Sequence, residues 1–407
     1  MTKRDLVRPA NRTERLLFAA VAGVWLTLTG LLGGLELAQA QTTAPTKEFR
    51  YSLELPLTSF YNTAHPLPVG KPGELIQSEA ADQYNLFYEL SALRILYHSR
   101  TANGEDVAVS AVVLVPDGKP PAGGWPVIAW AHEFRGTARQ CAPSLMKNLG
   151  AGSILAMFAD LGFAVVATDY AGLGADSGQP VVDMESNALD ILYSIPAARA
   201  AVKEIGNRWI ALGIYQGALA AVGVAQSAVR DPNYLGSVAV SGLADAREAY
   251  ERMALRSPKR MLLELGSTVK ALYPQFRVSD LLKDPSSSAY QRVSQTCGGV
   301  TEPEFTNGAL KPGWENNPHV VKYFNRNAPG QKPAHGPLLV ISGEADSAVP
   351  ADMSAKTVAG MCKEGRRILF LKYRDLDASS VMGTSTAEQI SWIKARFDGY
   401  AAPSNCP

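Results

Sequence analysis

Histidine and charge are both scarce in this chain. Of 407 residues only five are histidine, at His65, His98, His132, His319 and His335, and none lies beyond position 335. Only 19% of residues are charged, 39 Lys plus Arg against 38 Asp plus Glu, for a net charge of +1. That balance excludes an electrostatic nucleic-acid binder. A hydrophobic content of 46% excludes a disordered chain, and the composition excludes a polytopic membrane protein. Cysteine is sparse as well. Cys141, Cys297, Cys362 and Cys406 are widely spaced, with no CxxC pair and no histidine neighbour, so no zinc site is implied and no metal or cofactor is expected.

The first forty residues read as a secretory signal: a basic start (Lys3, Arg4, Arg8, Arg12, Arg15), an apolar run from Leu16 to Leu35, and the small-residue pattern Ala38-Gln39-Ala40. A retained N-terminal anchor is the competing reading of a run this long. Cleavage removes five basic and three acidic residues and leaves 34 against 35, so no charged partner is implied. A secreted or periplasmic protein without a stable membrane span is expected. In that setting four cysteines predict two disulfides, with three connectivities open.

The mature chain exceeds what one core usually holds, which predicts one large domain with an inserted subdomain, or two domains. Residues 41–89 are rich in Pro, Gly and Thr and read as an extended arm with little core of its own. In 90–244, β-prone runs at Ser91 to His98 and Asp106 to Val115 flank a hairpin signal, Asn103-Gly104. Short apolar runs then alternate with helical stretches, as crossover-connected parallel strands do. Helices are expected at Gly150 to Leu161, Met184 to Glu204 (kinked or split by Pro196), Gly217 to Arg230, Ala351 to Cys362 and Thr386 to Phe397. Residues 245–331 break the alternation and read as a cap over the site or a stabilising excursion. The alternation resumes over 332–407.

At Gly213-Ile214-Tyr215-Gln216-Gly217-Ala218 an apolar strand meets a tight, glycine-flanked turn and an Ala-rich helix, the strand-turn-helix setting of a nucleophile elbow. Its central residue is Tyr215, where acyl transfer needs serine. Downstream, Gly343-Glu344-Ala345-Asp346 puts an acid in the loop after a strand, as a Ser, Asp, His order requires. The histidine is then due within Lys372 to Ser385, and none exists there.

These pieces, with Trp130-Ala131-His132, Gly136, Cys141-Ala142-Pro143-Ser144 and Asp169-Tyr170-Ala171-Gly172, make the chain over about residues 85 to 400 resemble the secretory lipase family, the yeast lipase A-like α/β-hydrolases. The resemblance implies an α/β-hydrolase fold: a mostly parallel central sheet, helices on both faces and an inserted cap. It also implies pairings Cys141 to Cys297 and Cys362 to Cys406, and hydrolysis of lipid or aryl esters without metal or cofactor. Against the family pattern, Tyr215 replaces the nucleophile, Ala378 occupies the place of the triad histidine, and Glu133, Phe134 and Arg135 fill the oxyanion loop.

Losing either serine or histidine costs many powers of ten in rate. The backbone N–H of Gln216 remains as an oxyanion donor. Three functions follow. The first is altered chemistry of lyase, dehydratase or unusual hydrolase type, using Tyr215, Glu133, Arg135 and Asp346 on an apolar small molecule or ester. The second is a non-catalytic pseudo-hydrolase that binds such ligands. The third is a residual carboxylesterase or lipase with a substitute serine, for which Ser241, Ser379 and Ser380 are candidates. A retained elbow predicts positive φ at Tyr215. His132, at a strand end, is expected to serve structure.

Overall fold

The computed structural model describes residues 54–86, 90–256, 258–283, 290, 295, 297 and 309–407. The signal expected at 1–40 lies outside them. The described residues all belong to one compact unit. Nine strands form one sheet among them: β1 (Leu75–Ala80), β2 (Ser91–Arg100), β3 (Asp106–Val115), β4 (Trp125–Ala131), β5 (Ala164–Thr168), β6 (Ile205–Ile214), β7 (Tyr234–Val240), β8 (Leu338–Gly343) and β9 (Ile368–Tyr373). Their order is β1-β2-β3-β5-β4-β6-β7-β8-β9. Pairings from β1 to β5 are antiparallel, and the rest are parallel.

Both faces of this sheet are buried, which is why its central strands read as continuous apolar runs. Alternate residues go to opposite sides. Val127 and Ala129 of β4, with Trp209 and Ala211 of β6, pack with α2 (Met184–Ala201) and α3 (Gln216–Gln226). Ile128, Trp130, Ile210 and Leu212 face α1 (Gly152–Asp160) and a C-terminal helix that carries Trp392 and Ile393. Helix α2 begins on Asp183, whose carboxylate accepts the Ser186 N–H as a cap, and it runs through Pro196 without being split.

Residues 54–86 are not a free arm. Phe60 and Tyr61 are buried, the Tyr61 hydroxyl meets Ser144 Oγ at 2.8 Å, and β1 pairs with β2 as the sheet's first edge. At the opposite edge the C-terminal tail lies along β9. Asn405 donates through its N–H to the Ile368 carbonyl at 3.0 Å, and its side chain bonds Phe370 N–H and C=O at 2.9 and 2.8 Å.

Between β7 and β8 stand α4 (Ala246–Arg256), α5 (Pro258–Leu272) and α6 (Pro318–Arg326), which share a separate apolar cluster that includes Tyr250, Leu262, Val269, Phe276 and Phe324. This insertion is bolted to the segment just before α2. Thr268 Oγ1 accepts Val182 N–H at 2.8 Å, Asn327 Oδ1 accepts Met184 N–H at 2.7 Å, and Tyr323 donates to the Val182 carbonyl at 2.7 Å. Arg326 Nε pairs with buried Asp183 at 2.9 Å. The last three helices are α7 (Ala351–Lys363), α8 (Ala378–Thr384) and α9 (Thr386–Phe397). Cysteines pair as the resemblance implied, Cys141 with Cys297 and Cys362 with Cys406. No helix among the described residues is long and apolar enough to cross a membrane.

Candidate functional site

Tyr215 sits between β6 and α3 at φ 51 and ψ −111, a conformation that costs a bulky residue about 1–3 kcal/mol. The turn is tight because its glycines allow it. A Cβ on Gly213 would lie 2.2 Å from the Gly217 carbonyl oxygen, and one on Gly217 only 1.9 Å from that of Ala131. Strand and helix therefore touch backbone to backbone, and Tyr215 is the residue left at the tip. Its own N–H donates to the Val240 carbonyl at 3.2 Å, which fixes the turn to the end of β7. Gln216 opens α3, so its N–H is among the first-turn donors without an intrahelical acceptor. Its side-chain amide donates to the Val181 carbonyl and to Asn187 Oδ1 at 3.2 and 3.0 Å.

Asp346 follows β8 and is buried. One carboxylate oxygen accepts the N–H groups of Ala348 and Val349 at 2.9 and 3.0 Å. The other, Oδ2, has no hydrogen-bond partner among the described residues, and the same holds for the buried Ser241 Oγ. Burial raises the Asp346 pKa. The two N–H groups and the nearby Ser241 hydroxyl work against that rise, and the Asp377 charge adds to it. Ser241 too has positive φ, 54°. Ala378 is buried at the start of α8, just after the cap Asp377, whose side chain accepts the Ser380 N–H at 2.8 Å. The loop before it is drawn in by Gly343, where a Cβ would meet the Leu376 carbonyl oxygen at 2.1 Å. The position expected for the base is therefore folded against the acid's strand, and it carries a methyl group.

Glu133 and Arg135 pair with each other at 3.2 Å, and Arg135 also donates to the Gly150 carbonyl at 2.7 Å. Arg135, with Phe134, Tyr170, Val182 and Gln216, lines a small pocket of about 10 Å³. Tyr215 lines a different cavity of about 50 Å³ that lies against α4, α5 and α6. Gln216 and Val182 form the wall common to both. Asp346 lines neither of these; it borders an open, polar cleft of about 550 Å³ with Arg252, Arg256 and Lys372. Of the four residues proposed from sequence as one catalytic group, Arg135, Tyr215 and Asp346 thus border three different spaces, and Glu133 is held by its pairing with Arg135.

His132 is buried, with Nδ1 2.6 Å from the Glu133 carbonyl and Nε2 3.0 Å from that of Asp169. Burial lowers its pKa to about 4, although the two carbonyl acceptors favour the charged ring. Its ring lies 4.3 Å from that of Tyr170, tilted by 33°. Asp169 accepts Ser110 Oγ at 2.6 Å and Ser144 N–H at 2.8 Å, and so holds the Ala142-Pro143-Ser144 turn.

Sequence reasoning missed one member of the Tyr215 cavity. Glu264 of α5 lines it and is only 4% exposed. The signal was there: a lone acid inside Met261-Leu262-Leu263-Glu264-Leu265. Among the described residues no cluster of His, Cys, Asp or Glu could hold a metal ion.

No protein-family model matches the chain, and no curated protein sequence does. Solved structures do. Lipase A of Candida antarctica, in its closed state, superposes with a TM-score of 0.75 at 18% identity, covering 87% of this chain and 89% of that one. The rice cell wall degrading esterase LipA of Xanthomonas oryzae gives 0.66 at 16% identity, over 82% and 100% of the two chains. A putative hydrolase of Legionella pneumophila gives 0.66 at 16%, over 81% and 99%. At these identities the likeness speaks for architecture, and with the strand order above it gives this chain the α/β-hydrolase fold.

Proposed function

We propose that the protein is an exported member of the secretory lipase family that has lost acyl-enzyme hydrolysis and binds an apolar, ester-like small molecule beneath its cap, residues 245–331. Tyr215 carries this reading. It puts a phenol on the strained turn where acyl transfer needs a serine. Ala378 in the base position supports it, because no imidazole is left to move the proton. The largely apolar lining of the Tyr215 cavity supports an apolar ligand, and lipase and esterase neighbours support an ester-like one. Two disulfides and the leader pattern suit export.

A second reading, altered proton chemistry at Tyr215, draws on the strain itself, since strained positions cluster at working sites. In that reading Tyr215 acts without Arg135, which borders the neighbouring pocket, and without Glu133, which pairs with Arg135.

The test compares wild type with the double variant Tyr215→Ser, Ala378→His on short-chain and long-chain p-nitrophenyl esters. Wild type should stay at the buffer rate and the double variant should exceed it by at least about 10²-fold, the scale that an intact oxyanion donor alone supplies. Wild-type labelling by a fluorophosphonate that disappears on mutating one serine, Ser241 first, would overturn the proposal.

A further inference from the structure

We infer that the open cleft beside Asp346 is a site for a phosphoryl group, independent of what the Tyr215 cavity binds. Two elements supply its cations: Arg252 and Arg256 come from α4, and Lys372 from β9. The two arginines stand four residues apart and so share one face of the helix. Arg252 donates through Nε to the Ser347 carbonyl at 3.0 Å, which orients its guanidinium and leaves both terminal nitrogens for another acceptor. Among the described residues none of the three cations pairs with a carboxylate, although ion pairs form close by on the same helix. Arg247 pairs with Glu251 at 3.0 Å and Glu248 with Lys356 at 2.8 Å.

Three carboxylates border the same cleft, Glu344, Asp346 and Asp352, and two of them are engaged. Asp346 is buried and accepts the Ala348 and Val349 N–H groups, and its burial favours the neutral form. Asp352 lies in the first turn of α7, where the helix end offsets a negative charge, and its Oδ1 accepts the Met353 N–H at 2.9 Å. Only Glu344 is left to oppose the three cations. Their number decides the kind of anion. A single arginine fork already satisfies both oxygens of a carboxylate. Two guanidinium groups and an ammonium call for more acceptors, and a phosphate monoester brings three terminal oxygens and a charge of about −1.5 to −2. At about 550 Å³ the cleft falls within the roughly 300–1,000 Å³ of small-molecule pockets, so it has room for an organic phosphate and not only for the bare anion. A soluble phosphate ester and the head group of an anionic lipid present this same chemistry.

The test titrates glycerol 3-phosphate and its carboxylate counterpart glycerate into the whole protein by calorimetry at low salt. In parallel, the protein is sedimented with phosphatidylcholine vesicles that contain or lack phosphatidylglycerol. Wild type should bind glycerol 3-phosphate at least about tenfold more tightly than glycerate, or the phosphatidylglycerol vesicles at least about tenfold more than the plain ones. The double variant Arg256→Gln, Lys372→Gln changes two exposed side chains and should weaken that binding by about tenfold or more, whereas Glu344→Gln should strengthen it. If the double variant does not fold by circular dichroism, Arg256→Glu alone replaces it and should abolish binding. Loss of glycerol 3-phosphate binding in the variant supports a site for soluble esters. Loss of vesicle binding, with no binding of the soluble ester by wild type, supports a site for a lipid head group. Glycerate bound as tightly as glycerol 3-phosphate, no saturable binding of either phosphate source, or binding that survives the double substitution overturns the inference.

Discussion

Raising the pH from 4 to 7 should destabilise this protein, and Asp190 is the main reason. Its carboxylate is wholly buried on α2, where it accepts Ser99 Oγ at 2.5 Å and Ala171 N–H at 3.0 Å. Desolvation outweighs those two bonds and lifts its pKa from 3.8 to about 7, with some help from the charge of Asp183. Asp169 is lifted the same way, to about 6. A carboxyl whose folded pKa is raised binds its proton more tightly folded than unfolded. Its favourable contribution is complete below the unfolded pKa and is lost as pH climbs to the folded one. At about 1.36 kcal/mol per unit, Asp190 loses about 4 kcal/mol across this window and Asp169 about 3.

His132 acts in the opposite direction. Its folded pKa falls from 6.5 to about 4, so it returns about 3 kcal/mol over the same rise. The net loss is about 4 kcal/mol, or roughly 5 °C in Tm for a folded unit of this size. Below pH 4 the trend reverses, because Asp176 and Asp377, whose pKa values are lowered by hydrogen bonds, become protonated. Differential scanning calorimetry at pH 4.5 and 7 reads the difference directly. In Asp190→Asn the Asp169 and His132 contributions nearly cancel, so its Tm should be almost flat between pH 4 and 7, whatever its absolute value. A wild-type Tm that is flat or rises over this range, or a variant that keeps the wild-type slope, refutes the reasoning.

Two structural predictions concern the turn and the helices between β7 and β8. Gly217→Ala places a methyl group 1.9 Å from the Ala131 carbonyl oxygen, where backbone must move, and should cost about 3 kcal/mol or more in urea unfolding. Arg326→Ala strips buried Asp183 of its cation and should cost about 3 kcal/mol. That variant should also be cut faster by trypsin between β7 and β8, because the same carboxylate holds Asn327, the C-cap of α6.

The sheet was legible in the sequence because strands buried on both faces leave unbroken apolar runs, such as those of β4 and β7. β1 was not, since an edge strand with one neighbour reads Leu-Ile-Gln-Ser-Glu-Ala and hides among prolines and polar residues. Pro196 misled because its ring does not interrupt α2; it packs close to Gly73, where a Cβ would lie 2.4 Å from the proline Cγ. At the site, the positive φ of Tyr215 followed from its glycine neighbours, which dictate the turn whatever stands at its tip. The grouping of Tyr215 with Glu133 and Arg135 did not survive as one space, because side-chain direction depends on partners far away in sequence, here the carbonyl of Gly150. Glu264 lay in a helix-prone stretch whose orientation is set only when it packs against α4 and α6 beside the Tyr215 turn.

The tail along β9 has a consequence for solubility. The last strand of an open sheet is a template for pairing with another chain. Asn405 takes up hydrogen-bonding groups at that rim, and the Cys362–Cys406 link ties it there. Oxidation of this one pair therefore does more than shorten the unfolded chain: it guards an aggregation-prone rim, so a reducing environment would first endanger the protein by polymerisation and only later by unfolding.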